Sequence, residues 1–238
     1  FAGLKSVSES IKFPIKYYQT NIGGSINLIN AMIDYNVKKI IFSSSATVYD
    51  KKQSSPLTED STTGLPETPY GVTKLLVERI LRDLFRKDDS FRIGILRYFN
   101  PIGAHKSGLI GDQFNNASNN LIPNILRVID GKQSILNIYG NNYKTHDGTC
   151  IRDYFHVTDL ANGQISAMNF INKNSGYHIW NLGSGNGYST LEIVKMFEKK
   201  IERKIPIEIH GRREGDLAEY WCDPSKAKKE LNWQAAES

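Results

Sequence analysis

Tyr70 and Lys74 stand four residues apart, directly behind Thr68-Pro69. Proline is favoured at the first position of a helix, and a threonine before it can cap the exposed N–H groups. The pair is therefore expected in the first turns of a helix that starts at Pro69, on one face. An ammonium beside a phenol favours the phenolate, which would bring the tyrosine pKa down from about 10 toward neutrality and make Tyr70 a general base. A surface tyrosine and lysine on an ordinary helix would show the same spacing, so the weight falls on the rest of the chain.

The elements that must hold the pair can be read from periodicity. Residues 20–35 carry Ile22, Ile26, Ile29 and Ile33 at helical steps. Residues 37–42 form a β-branched run suited to a buried parallel strand, and Ser43-Ser44-Ser45-Ala46 follows at its C-terminal end, where open α/β sheets place ligands. Residues 50–67, rich in Ser, Thr, Pro and Gly, read as a solvent-exposed loop. The helix from Pro69 continues with Val72, Leu76, Ile80 and Leu84 as its apolar stripe and ends near residues 87–89. Residues 92–98 are the next strand, running into Phe99-Asn100-Pro101. This alternation predicts an α/β fold, part of a Rossmann-like doubly wound parallel sheet.

Beyond Pro101 the pattern loosens. Residues 103–120 read as a long irregular loop rich in Asn and Gly. A helix over 123–130, a strand over 135–139, a helix capped by Thr158 and running to about 172, and a strand over 178–182 follow. Ser189 and Glu192 match a capping box that opens a helix to about residue 200, and 205–209 is a further strand. Gly183-Ser184-Gly185-Asn186-Gly187 has the wrong spacing for a dinucleotide loop and lacks an acidic ribose ligand, so a turn is the favoured reading. Asn116-Ala117-Ser118 is a glycosylation sequon that is uninformative without a secretory context.

Composition narrows the function. The 238 residues, 39% hydrophobic and 11% aromatic, can bury a substantial core as one large or two small domains. A net charge of +5 mildly favours an anionic ligand, but the lysines are scattered, which argues against nucleic acid. Cys150 and Cys222 are too distant in sequence for a metal-spaced pair or a disulfide framework, so no metal is expected and a reducing, cytoplasmic setting suits them. No apolar run approaches the ~20 residues of a membrane span, and no signal peptide is visible. The chain opens on Phe1 as if at the end of a buried strand, and it reads as an internal piece of a longer protein.

With its flanking words the pattern becomes specific. Phe1-Ala2-Gly3-Leu4-Lys5, Phe42-Ser43-Ser44-Ser45-Ala46-Thr47-Val48-Tyr49, Pro69-Tyr70-Gly71 and Leu96-Arg97-Tyr98-Phe99-Asn100-Pro101 occur in that order. Gly103-Ala104-His105, Asp147-Gly148-Thr149, Arg152-Asp153-Tyr154, Asn181-Leu182-Gly183 and Arg212-Arg213-Glu214-Gly215-Asp216-Leu217 complete the set. Over essentially its whole length the chain resembles the UDP-glucose 4-epimerases, of the extended short-chain dehydrogenase/reductase superfamily. Neither that family's glycine-rich pyrophosphate loop nor its last helices are found in this sequence.

The resemblance implies an isomerase of galactose metabolism that keeps NAD bound as a transient hydride store while it interconverts UDP-glucose and UDP-galactose. It assigns residues 1–101, with 156–188 returning, to the NAD-binding domain, and 102–155 and 189–238 to the UDP-sugar domain. It makes Tyr70 the base, with Lys74 and Ser45 as its catalytic partners. It places Phe1, Ala2, Gly3, Leu4, Lys5, Thr20, Asn21, Ser43, Ser45, Tyr70, Lys74 and Phe99 beside the cofactor. It places Lys5, Ser45, Tyr70, Asn100, Asn120, Leu121, Tyr139, Arg152, Arg213, Asp216 and Tyr220 beside the substrate. Arg152 and Arg213 suit a diphosphate, since guanidinium is a planar fork for phosphate oxygens. A homodimer through the Tyr70 helix is implied, and a bulky Tyr220 should disfavour N-acetylated sugars.

The sequence departs from the family at Thr20, at Asp50 and over residues 113–118. A dehydratase would need an acid–base pair where Ala46-Thr47 stands. A decarboxylase of the same superfamily is the other near rival, and a non-catalytic sugar-nucleotide-binding protein would not need Ser45, Tyr70 and Lys74 together.

Overall fold

The computed structural model describes residues 2–64, 66–111, 120–213 and 216–236. Strands β1 (Lys39–Ser45), β2 (Arg92–Tyr98) and β6 (Gly176–Leu182) form a parallel sheet in the order β1-β2-β6. Its register aligns Ser45 with Tyr98 and Tyr98 with Leu182, so the three C-terminal ends lie level and open onto one side. Helices cover both faces, as the β-branched character of these strands requires. On one face Ile29 and Met32, with Val77 and Leu81 of helix α4 (Pro69–Lys87), pack against Ile93 and Ile95. On the other, Ala167 and Ile171 of α6 (Val157–Lys173) pack with Leu231 and Trp233 against Leu96, Trp180 and Leu182.

Helix α4 starts as its sequence dictates. The Thr68 hydroxyl accepts from the Gly71 N–H at 3.3 Å and Pro69 occupies the first turn. Its fully buried stripe is Thr73, Val77, Glu78 and Leu81, together with Leu75; the expected stripe of Val72, Leu76, Ile80 and Leu84 is only half-buried. Two of the residues that face inward are polar, which a search for apolar periodicity passes over.

Other boundaries also shift. The helical stretch expected at 20–35 is longer: α2 (Pro14–Tyr17), a π-helical turn (Tyr18–Gly23) and α3 (Gly24–Asp34). Ile29 is buried there, whereas Ile26 and Ile33 are 40% and 46% exposed. A short helix α1 (Val7–Lys12), capped by Ser6, was not signalled by periodicity. Helix α6 is capped by His156, whose ring nitrogen accepts from the Thr158 N–H at 3.2 Å, so Thr158 is not itself the cap. The segment 50–67 is anchored rather than solvated throughout: Leu57 is fully buried and its backbone bridges to Cys222.

Two smaller sheets lie beyond the strand ends. In one, β5 (Ile151–His156) pairs with β3 (Asn100–Ile102), β7 (Gly187–Ser189) and β9 (Glu219–Tyr220). In the other, β4 (Leu136–Tyr139) runs parallel to β8 (Ile207–His210). Helix α5 (Leu121–Ile129) and helix α7 (Thr190–Ile201), the latter opened by the expected Ser189–Glu192 capping box, share a core with Leu136 and Ile138.

The stripe on α4 can be checked directly. Leu81→Ala is expected to cost about 2–5 kcal/mol of unfolding free energy in urea titrations, and Leu76→Ala less than half as much. Equal costs would show that the helix is turned differently.

Candidate active site

Ser45 ends β1 and is 9% exposed. Its hydroxyl accepts from the Thr47 N–H at 3.3 Å and faces the phenol of Tyr70, which projects from the first turn of α4. One turn on, Lys74 Nζ donates to the Ser43 carbonyl at 2.8 Å and lies 5.1 Å from the Phe42 ring centroid and 5.7 Å from that of Tyr70. The three residues proposed for catalysis are thus brought together where β1 meets α4.

The electrostatics correct the sequence-based expectation. Burial raises the Tyr70 pKa, and the Ser45 hydroxyl opposes this only in part. Burial also pushes Lys74 down to about 8. In the protein alone, therefore, desolvation outweighs the Ser45 hydroxyl, and the phenol does not drift toward neutrality.

The remaining expected residues line one continuous cleft that includes this point. Ala2, Gly3, Leu4, Lys5, Thr20, Asn21 and Ser43 stand on its near side. Phe1 lies outside the described residues. Asn21 is occupied: its amide oxygen accepts from Leu4 N at 2.8 Å, and its amide nitrogen donates to the Leu4 carbonyl at 3.0 Å and to Thr73 Oγ1 at 3.1 Å. It fastens the 2–5 segment to α4. Phe99 is buried, its ring centroid 5.8 Å from that of Tyr220.

On the far side the cleft is lined by Asn100, Asn120, Leu121, Tyr139, Arg152, Arg213, Asp216 and Tyr220. Asn100 donates to the Asp153 carbonyl at 2.9 Å. Asp216 is flanked by two guanidiniums: Arg213 Nε at 3.3 Å and Arg152 Nη2 at 3.6 Å. Arg152 also donates to the carbonyls of Ile151 and Leu217, both at 2.8 Å, and Arg213 lies 4.5 Å above the Tyr139 ring. Two cations around one carboxylate leave a net positive charge where an anion would enter. The Tyr220 hydroxyl donates to the Ala46 carbonyl, one residue beyond Ser45, which ties this wall to the strand end.

Sequence reasoning missed two features here. Tyr98 donates to Ser43 Oγ at 3.0 Å, and Gln164 of α6 donates to Tyr98, which braces the residue that receives the Lys74 ammonium. No spacing signal tied Gln164 to Tyr98, because helix and strand meet only in the fold. The second is Asp153, whose buried carboxylate accepts from the N–H groups of Ser184, Gly185 and Cys222 at 2.7–3.3 Å. The glycine-rich 183–187 segment is therefore a turn whose N–H groups already hold a carboxylate. A Cβ on Gly183 would come within 2.5 Å of Asp153 Oδ2. The sequon at 116–118, the departure at 113–118, and Glu214 and Gly215 fall outside the described residues.

A parallel sheet that delivers a strand-end serine to a tyrosine and lysine one helical turn apart defines the short-chain dehydrogenase/reductase class. The family model described as GDP-mannose 4,6 dehydratase matches residues 1–238. The UDP-glucose 4-epimerase of Bacillus subtilis (strain 168) is 50% identical over 235 residues, 99% of this chain and 69% of its own length. That of Homo sapiens is 47% identical over 236 residues, 99% of this chain and 68% of its own length. Among solved structures, the Stenotrophomonas maltophila UDP-glucose 4-epimerase with bound NAD and formylated UDP-arabinopyranose superposes with a TM-score of 0.97 at 44% identity, covering 100% of this chain and 70% of that one. The Bifidobacterium longum enzyme, in complex with NAD+ and UDP, gives 0.94 at 47% identity, covering 100% and 71%. The chain belongs to the UDP-glucose 4-epimerase family of isomerases, within the extended short-chain dehydrogenases/reductases. It spans about 70% of the length of these relatives. Among the described residues no helix is long and apolar enough to cross a membrane.

The half-buried Lys74 ammonium has a measurable signature. Its folded pKa, about 8, lies below the 10.5 of an ordinary lysine, so the unfolded chain holds the extra proton between those limits. The Lys74 contribution to stability therefore rises with pH across that window, by on the order of 3 kcal/mol in all. The difference in unfolding free energy between wild type and Lys74→Met, without cofactor, is expected to climb from pH 8 to 10.5. A flat difference would mean that the amine is solvated.

Proposed function

We propose that the protein interconverts UDP-glucose and UDP-galactose, with NAD as a transient oxidant at sugar C4. The supporting observation is that Ser45, Tyr70 and Lys74 meet in the same cleft that carries Arg152, Asp216 and Arg213 on its far wall. Its residues fit NAD in their chemistry. Gly3 presents backbone where a Cβ would lie 4.0 Å from Lys74 Nζ, so the 2–5 segment runs beside the ammonium, and Ser43, Ser45 and Phe99 edge the same space. When bound, NAD supplies a reversible acceptor for the C4 hydride.

The chain's own residues would do the rest. Tyr70 takes the proton of the sugar 4-hydroxyl as C4 is oxidised, and returns it after the 4-keto sugar has presented its other face. Ser45 holds the oxygen through both steps. Lys74, and the positive charge of the oxidised cofactor, set the phenol's acidity against the burial that raises it. Arg152 and Arg213 take the diphosphate, which replaces Asp216 as the partner of one or both guanidiniums. Tyr139 lies beneath Arg213 and forms the uracil side. Residues 1–101 with 156–188 act as the cofactor domain, and 102–155 with 189–238 as the sugar-nucleotide domain. The half-buried Val72 and Leu76 on α4 offer the face for a homodimer. Two free thiols, Cys150 and Cys222, suit a cytoplasmic setting.

Tyr70→Phe in the NAD-loaded full chain is expected to lose a factor of about 10² to 10⁴ in turnover of UDP-galactose, in a coupled assay, with UDP-sugar binding retained. Undiminished turnover would remove Tyr70 from the chemistry. Tyr220 fills the wall between Phe99 and Ala46, so the wild type should turn over UDP-N-acetylglucosamine poorly. Tyr220→Cys should raise that activity relative to UDP-glucose by roughly tenfold or more. Efficient wild-type turnover of the N-acetylated sugar would contradict this.

A further inference from the structure

Beside the strand end lies a buried ion pair that this chemistry does not use. Glu78 stands one turn beyond Lys74 on α4, and Arg97 stands next to Tyr98 on β2. Their side chains are 4% and 2% exposed. Arg97 donates to the Glu78 carboxylate through Nε at 3.1 Å and Nη2 at 2.8 Å, and the Ser44 hydroxyl donates to the same carboxylate at 2.5 Å. Ser44 is the immediate neighbour of Ser45.

The pair gathers the elements that form the site. Arg97 lies 4.7 Å above the ring of Tyr49, which follows the 3-10 turn Ala46–Val48 that begins after Ser45. Tyr49 donates to Asn181 Oδ1 at 2.6 Å, and Tyr177 donates to the Glu78 carbonyl at 3.1 Å, which brings in both ends of β6. Arg97 Nη1 also reaches the Glu59 carbonyl at 3.4 Å. Beta strand, turn, helix and anchored loop thus share one charged centre.

Stability alone is a weak reason for such a centre. A buried ion pair often gains nothing over apolar residues of similar volume, because desolvation cancels the attraction. Its directional bonds are what apolar side chains could not reproduce. We infer that the Glu78–Arg97 pair, acting through Ser44, is a positioning device that sets α4 on β1 so that Tyr70 and Ser45 meet the reacting hydroxyl together; this rests on the functional reading above. Misplacement by an ångström can cost about a hundredfold in rate.

The test uses the full chain loaded with NAD, with kcat and KM for UDP-galactose measured per folded molecule. Ser44→Ala touches neither charge. It is expected to lower kcat by roughly threefold or more while KM stays within about twofold. The double variant Glu78→Leu/Arg97→Met is expected to fold, somewhat less stable than wild type because the buried Ser44 hydroxyl loses its acceptor, and to lose roughly tenfold or more in kcat per folded molecule, again at unchanged KM. A purely structural pair would give wild-type kcat in both folded variants, and that result overturns the inference. If the double variant does not fold, Ser44→Ala decides alone. Tyr70→Phe is run alongside: its retained turnover would sink the functional reading, whereas its loss with wild-type kcat in the other variants would sink only this inference.

Discussion

The site depends on a cost. A phenol and an ammonium are taken out of water at the junction of β1 and α4, and burial disfavours the charged form of each. Left to themselves they would be a neutral tyrosine and a weakly basic amine. The surroundings decide how far that is reversed: the Ser45 hydroxyl on the phenol, the Ser43 carbonyl on the amine, and whatever charge enters the cleft. In the proposed mechanism, a base that becomes competent only when an oxidised cofactor supplies further positive charge would be protected from acting on the wrong partner. On this account, burial is what makes the chemistry conditional.

The fold surrounds the site with polar scaffolding as well as apolar packing. Asn21 ties the 2–5 segment to α4, Gln164 and Tyr98 brace Ser43, and Asp153 fills the amide nest of the 183–187 turn. Each satisfies groups that would be expensive to bury unpaired. The far wall differs. There Asp216 stands between Arg152 and Arg213 at distances that an entering diphosphate can displace, so that side of the cleft keeps exchangeable partners. In the proposed mechanism, fixed bonds around Ser43 and exchangeable ion pairs around Asp216 would suit a substrate whose nucleotide stays held while its sugar turns.

Much of this was legible before any coordinates. The strand-end serine and the Thr68-Pro69 helix start are local signals, set by capping and by β-branched periodicity, and the structure places them as read. The inward stripe of α4 was not legible, because Thr73 and Glu78 carry it and their burial depends on partners far away in sequence, Asn21 for one and Ser44 and Arg97 for the other. The bonds of Asn21 to Leu4 and Thr73 were not legible for the same reason, since they join segments far apart in sequence. The direction of the Tyr70 shift failed differently. Spacing reveals which charges are near but not how much water has been removed, and here the water mattered more. The segment 50–67 looked solvated by composition, yet Leu57 anchors it to the core.

The conditional acidity of Tyr70 can be observed without turnover. Ultraviolet difference titration of wild type against Tyr70→Phe isolates the one phenol, with and without oxidised NAD. The account predicts ionisation above the ordinary tyrosine pKa of about 10 in the protein alone and a fall toward neutrality once the cofactor is bound. A phenol that ionises above 10 in both states, or near neutrality in the protein alone, would contradict it.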